Sequence, residues 1–158
     1  MSKLSQYLTL GIDREVFGIP VESVREILDM REISRLPNAP GYLVGIIDVR
    51  GRSVPVVDLR TKLGLPAAAV TPSTRIVVLE IALGMRLAAI GLIADRVFEV
   101  TGLADEALEA APEIGVRWRS DYITAIGRRD GHFVIIFDLG RLFASDEVAL
   151  SREIDEAA

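Results

Sequence analysis

Gly51-Arg52-Ser53-Val54-Pro55-Val56-Val57-Asp58-Leu59 aligns without a gap on Gly131-His132-Phe133-Val134-Ile135-Ile136-Phe137-Asp138-Leu139. Each stretch runs from a turn glycine through a strand-forming core to Asp-Leu. Upstream, Phe17–Ile27 (FGIPVESVREI) aligns on Ile90–Val100 (IGLIADRVFEV) in the same chain order. Val- and Ile-rich strands resemble one another by chance, but here polar and glycine positions match too: Gly18/Gly91, Glu26/Glu99, Gly51/Gly131 and Asp58/Asp138. The offset is 73 residues in the earlier block and 80 in the later one. The chain therefore reads as an internal duplication whose second copy carries a short insertion, placed in Leu103–Val116.

Outward from these blocks the pattern is strand after strand. Gln6–Ile12 and Val16–Pro20 flank Asp13-Arg14-Glu15 as a hairpin, and Leu43–Val49 and Ser53–Val57 flank Arg50-Gly51-Arg52 as another. Arg75–Ile81 and Arg86–Leu92 follow around Gly84. Tyr122–Arg128 and His132–Phe137 close across Asp130-Gly131, a strong turn dipeptide. Pro55 inside its strand predicts an edge position or a bulge, since proline cannot donate to a ladder. Val21, Val24, Ile27 and Leu28 recur at helical spacing and predict a short amphipathic turn or two. Leu65–Ser73 is small, Pro-flanked and nearly uncharged, the best boundary between the copies. Ser145 can cap a final acidic helix.

Many short strands with little helix predict an all-β barrel architecture with short helices. The expected organisation is one domain over residues 1–158. Subdomain one covers about 14–73 and subdomain two about 74–140, allowing for exchange of the N-terminal strand between them, with a C-terminal acidic helix at 145–158. Neither small barrel can build an adequate core alone, so the two should pack together and leave a groove for ligands or partner segments.

Hydrophobic residues make up 50% of the 158 positions and aromatics only 6%, which excludes a disordered chain and predicts a Val, Ile and Leu interior. Eighteen bases scattered among 23 acids, for a net charge of -5, argue against a nucleic-acid ligand. Without cysteine there is no disulfide, thiolate nucleophile or Cys-based metal site. Apolar runs such as Leu87–Ala94 are broken by charges before they reach a spanning length, and MSKLSQYLTL does not read as a signal peptide. A soluble cytoplasmic protein is expected.

Candidate chemistry is sparse. The single His132 follows a tight turn, with no Ser or Asp placed by sequence to orient it. Asp58 and Asp138 form a matched carboxylate pair, and a small barrel hydrolase using both is one hypothesis. The capping reading is stronger, because each Asp ends a strand and precedes a one-turn helix with a buried face, Leu59…Leu63 or Leu139…Phe143. A protease dyad would also require a small hydroxyl residue and Gly after the Asp, where both sites carry Leu. Glu26 and Arg50 are either solvated charges or the polar frame of an apolar docking site.

Several stretches together closely resemble the CheW family: V-x-S-V-R-E-I at Val21–Ile27, L-P-N-A-P at Leu36–Pro40, and G-I-I-D-V-R-G-R-x-V-P-V-V-D-L at Gly45–Leu59. The likeness continues through G-L-I-A-D-R-V-x-E-V at Gly91–Val100 to F-D-L-G-R-L-F at Phe137–Phe143. It implies two five-stranded β-barrels and a non-enzymatic adaptor that couples methyl-accepting chemoreceptor tips to the regulatory domain of the histidine kinase CheA. No cofactor, metal or membrane insertion is implied. A receptor helical hairpin would lie in an inter-barrel groove lined by Val24, Ile27, Leu28, Val97, Phe98 and Val100, with Glu26 and Arg50 beside it. The kinase surface would map to the first barrel around Tyr42, Val44 and Gly45. Asp48 stands where the family usually has Asn, Val49 where Leu is common and Ala94 where Val is common. A scaffold in a non-motility pathway is the remaining alternative.

Overall fold

A computed structural model describes residues 4–39, 41–83, 85–110 and 122–144. The expected acidic helix at 145–158 lies outside them, as do residues 111–116 of the expected insertion. The described residues form ten strands: β1 (Leu4–Ile12), β2 (Glu15–Pro20), β3 (Val24–Asp29), β4 (Leu43–Val49), β5 (Arg52–Asp58), β6 (Arg75–Leu83), β7 (Arg86–Ala94), β8 (Arg96–Ala104), β9 (Ile123–Arg129) and β10 (His132–Phe137). Two short helices follow the fifth and tenth strands, α1 (Leu59–Lys62) and α2 (Leu139–Ala144).

The strands form two five-stranded sheets, ordered β8-β1-β2-β10-β9 and β3-β6-β7-β5-β4. Adding five to each strand of the first copy, and subtracting five from each of the second, turns one order into the other. The duplication is therefore structural, and its register is kept. Ile136 pairs with Gly18 where β10 runs parallel to β2, and Val56 pairs with Gly91 where β5 runs parallel to β7. Even the bulges correspond, between Leu8 and Leu10 against β8 and between Val24 and Glu26 against β6.

The sheets do not divide the chain at Leu65–Ser73. That segment links α1 to β6, and both flanks belong to the same sheet. Each copy gives its first hairpin to the other copy's sheet, β1–β2 in one direction and β6–β7 in the other. The exchange thus involves two strands from each copy, which corrects the expected boundary between subdomains. Both sheets curl toward closure because the chain beyond one edge strand bonds to the opposite edge. Ser34 exchanges two backbone bonds with Ile46, at 2.9 and 2.8 Å, and Glu109 does the same with Ile126.

Strands buried on both faces explain the nearly continuous apolar runs. In β6, Val77, Leu79 and Ile81 face a core shared by the two sheets, while Ile76 and Val78 face the interior of their own sheet. Likewise Leu8, Leu10 and Ile12 enter the shared core, and Tyr7 joins Leu103, Val134 and Ile136 inside the other sheet. Leu59, Leu139, Leu142 and Phe143 of the helices seal the shared core, where Phe17 stacks on Phe137 at 4.8 Å. This common interior is what two undersized barrels require.

Two local expectations are corrected. Val24–Asp29 is a strand after one 3-10 turn at Val21–Ser23, not an amphipathic helix. Its pairing with β6, a partner fifty residues away, overrides the local spacing. Pro55 lies in an interior strand, between β4 and β7. There the parallel ladder to β7 spans only Val56–Asp58, whereas the matching ladder of β10 spans Val134–Ile136 with Ile135 in the place of Pro55. The ladder starts beyond the missing donor.

Candidate docking surfaces

The β4–β5 hairpin turns through Arg50 and Gly51, both with positive φ (53° and 83°), the geometry of a two-residue type I′ turn. Asp48 Oδ1 accepts from the Gly51 amide at 2.8 Å and fixes that turn. The turn aims Arg50 at β3, where its Nε donates to Glu26 Oε2 at 3.2 Å. Arg50 is 82% exposed and Glu26 27%. Beside them Arg25 of β3 pairs with Glu80 of β6. These groups rim a hollow of about 390 Å³ with an apolar floor of Val49, Val54, Val78 and Ala89. Glu26 and Arg50 thus frame an apolar depression together, and Arg25, Arg52 and Glu80 join them. Sequence reading missed those three; alternation along β5 is the signal that points to Arg52, whereas Arg25 stands beside Glu26 at the bulge between Val24 and Glu26.

β3 and β8 occupy equivalent outermost positions in their sheets. Val24 and Val97, equivalent to each other, are partly buried against the shared core. Leu28 packs inside its own sheet. The outward groups are Ile27 at 43% exposure and its equivalent Val100 at 50%, with Phe98 also at 50%. The eight residues expected along a receptor groove therefore divide into three inward-facing supports, three exposed apolar groups and one ion pair. Phe133, exposed on β10 under the guanidinium of Arg128 at 4.8 Å, is a further outward aromatic.

Of the residues expected on the kinase surface, Val44 is half-buried and Gly45 is buried. Ser34 crosses so close to Gly45 that a Cβ there would meet the Ser34 carbonyl oxygen at 2.1 Å. Gly45 admits a neighbouring backbone, and the accessible surface is left to its neighbours. Tyr42 accepts from the Asp58 amide at 2.9 Å, and its equivalent Tyr122 accepts from the Asp138 amide at 2.8 Å. Lys62 Nζ lies 4.5 Å from the Tyr42 ring and 5.8 Å from that of Tyr122.

The carboxylate pair is engaged in capping. Asp58 Oδ1 accepts from the Arg60 amide at 3.0 Å and Oδ2 accepts from the Thr61 hydroxyl at 3.2 Å. Asp138 Oδ1 accepts from the Arg141 amide at 3.0 Å. Each group satisfies a free amide at the start of its own helix. Among the described residues no helix is long and apolar enough to cross a membrane.

Comparison with known proteins agrees with this architecture. The model of the CheW-like domain matches residues 6–147. The chain is 30% identical over 145 residues to the chemotaxis protein CheW of Klebsiella aerogenes, covering 92% of this chain and 85% of that one. Against the CheW protein of Bacillus subtilis it is 30% identical over 128 residues, covering 80% and 79%. The crystal structure of the scaffolding protein TtCheW from Thermoanaerobacter tengcongensis superposes with a TM-score of 0.79 at 28% identity, covering 89% of this chain and 88% of that one. With the duplicated sheets, the exchanged hairpins and a family match over nearly its whole length, the chain belongs to the CheW-like domain family.

Proposed function

We propose that this protein is a non-enzymatic chemotaxis adaptor that couples the helical tips of methyl-accepting chemoreceptors to the regulatory domain of the histidine kinase CheA. The observation that carries the reading is the equivalence of two apolar edge strands. Ile27 and Val100 stand exposed at matching positions of the repeat, with Phe98 beside Val100 and the Glu26–Arg50 pair beside Ile27. A receptor helix meets Ile27, Phe98 and Val100 as apolar contacts, supported from behind by Val24, Leu28 and Val97. Glu26 and Arg50 set its register through charge.

The kinase contact is assigned to the surface of β4 around Tyr42 and Val44, with Gly45 holding the strand against Ser34. In this reading Asp58 and Asp138 keep their capping roles and no substrate is turned over. The protein works in the cytoplasm at receptor clusters, recruited by its partners. Reconstitution tests it: kinase activity is measured with receptor-bearing membranes, with and without this chain. Activation that requires the chain supports the adaptor role, and activation indifferent to it refutes that role.

A further inference from the structure

Between the β3–β4 connection and the segment after α1 lies a cleft of about 620 Å³. Met30, Ile33 and Val44 give it apolar lining, and Val70 stands on its rim at 61% exposure. Arg31 and Arg35 line the same cleft. Both are exposed, and neither has an ion-pair partner among the described residues. The acidic groups of the cleft are already engaged: Asp58 caps α1, and Asp95 holds Arg60 at 2.8 Å. The free charge here is therefore positive, on a chain whose net charge is -5. A cavity of this size with apolar lining and two unspent guanidinium groups suits a ligand with one apolar face and carboxylates beside it. Among the described residues no aromatic side chain lines it, so these residues offer no stacking platform for bases.

We propose that this cleft docks an acidic amphipathic peptide segment of a partner protein. Its apolar residues sit between Val44 and Val70, and its carboxylates meet Arg31 and Arg35. The site goes beyond the coupling role above. It shares Val44 with the proposed kinase contact, so its test uses neither kinase nor receptor and is decided separately from that reading.

The full chain is panned against a displayed library of random peptides about four helical turns long. Enriched sequences are then synthesised and their binding followed by fluorescence anisotropy. The expected winners carry apolar residues at helical spacing flanked by Asp or Glu. The double variant Arg31→Glu/Arg35→Glu should weaken their binding at least about tenfold with an unchanged thermal melt, while Arg31→Lys/Arg35→Lys retains most of it. No enrichment, winners without acidic residues, or full binding by the charge-reversed variant would each overturn the proposal. Equal displacement by a single-stranded oligonucleotide would reassign the cleft to nucleic acid. Equal displacement by a synthetic peptide of residues 145–158 would reassign it to the chain's own acidic end, and either result also overturns the partner assignment.

Discussion

Arg50 Nε donates to Glu26 Oε2 at 3.2 Å and ties the β4–β5 turn to the edge strand β3. With Arg50 82% exposed, an ion pair of this kind contributes about 0–1 kcal/mol to folding. Arg50→Glu should therefore shift the denaturation midpoint only slightly, by less than about 1 kcal/mol. It places a carboxylate against Glu26 beside Asp48, and receptor binding should fall at least about tenfold by loss of charge complementarity. Calorimetry and receptor-membrane sedimentation read the two effects separately. Normal receptor binding by the variant would remove Arg50 from the docking surface.

Glycines at two kinds of position should behave differently. At Gly51 and Gly131 the φ values are 83° and 79°, and an added Cβ would meet nothing within 4 Å. Gly51→Val and Gly131→Val therefore cost chiefly backbone strain, about 1 kcal/mol or somewhat more. Gly45 fails for another reason, since its Cβ would press on the Ser34 backbone at 2.1 Å. Gly45→Ala should cost more than either turn substitution, about 3 kcal/mol. Urea titrations of the three variants test the ordering, and a Gly45→Ala midpoint equal to the wild type would contradict the close approach.

Thr101 Oγ1 is buried without a hydrogen-bond partner among the described residues. The repeat places Leu28 at the equivalent position, packed inside the other sheet. Thr101→Val keeps the shape and the β-branch while removing a stranded hydroxyl. It should stabilise the protein by about 1 kcal/mol. A lower melting temperature for the variant would mean that the hydroxyl has a partner.

Much of this architecture was legible in the residues. Alternation and turn chemistry located the hairpins, and the matched Gly51/Gly131 and Asp58/Asp138 blocks exposed the duplication. The caps followed from an Asp placed before a one-turn helix. What failed was decided by distant partners. Val24–Asp29 carries helical spacing, but β6 supplies an edge to pair with, and pairing prevails. The exchange of β1–β2 for β6–β7 leaves no local trace, because a hairpin reads alike whichever sheet receives it. The inward turn of Val24, Val97 and Leu28 was hidden for a related reason. An edge strand beside two cores can bury alternate residues in either, and only the sheet order settles which face remains outside.

That division sets apart two groups of substitutions. Phe98→Asp and Val100→Asp alter exposed side chains, so the fold should persist while receptor binding weakens by about 2 kcal/mol for a central apolar anchor. Val24→Asp and Val97→Asp put a carboxylate against the shared core and should lower the melting temperature, weakening both partners together. Circular dichroism melts alongside binding to each partner separate the groups. Early melting of Phe98→Asp would show that its ring belongs to the interior.

The central claim is that one chain holds receptor and kinase at once. Sedimentation of receptor-bearing membranes with the isolated CheA regulatory domain measures this directly, in the presence and absence of the full chain. The regulatory domain should pellet only when the chain is present, and Phe98→Asp should leave it in the supernatant while still binding it in solution. A regulatory domain that stays in the supernatant with the wild-type chain and receptors both present would contradict the account.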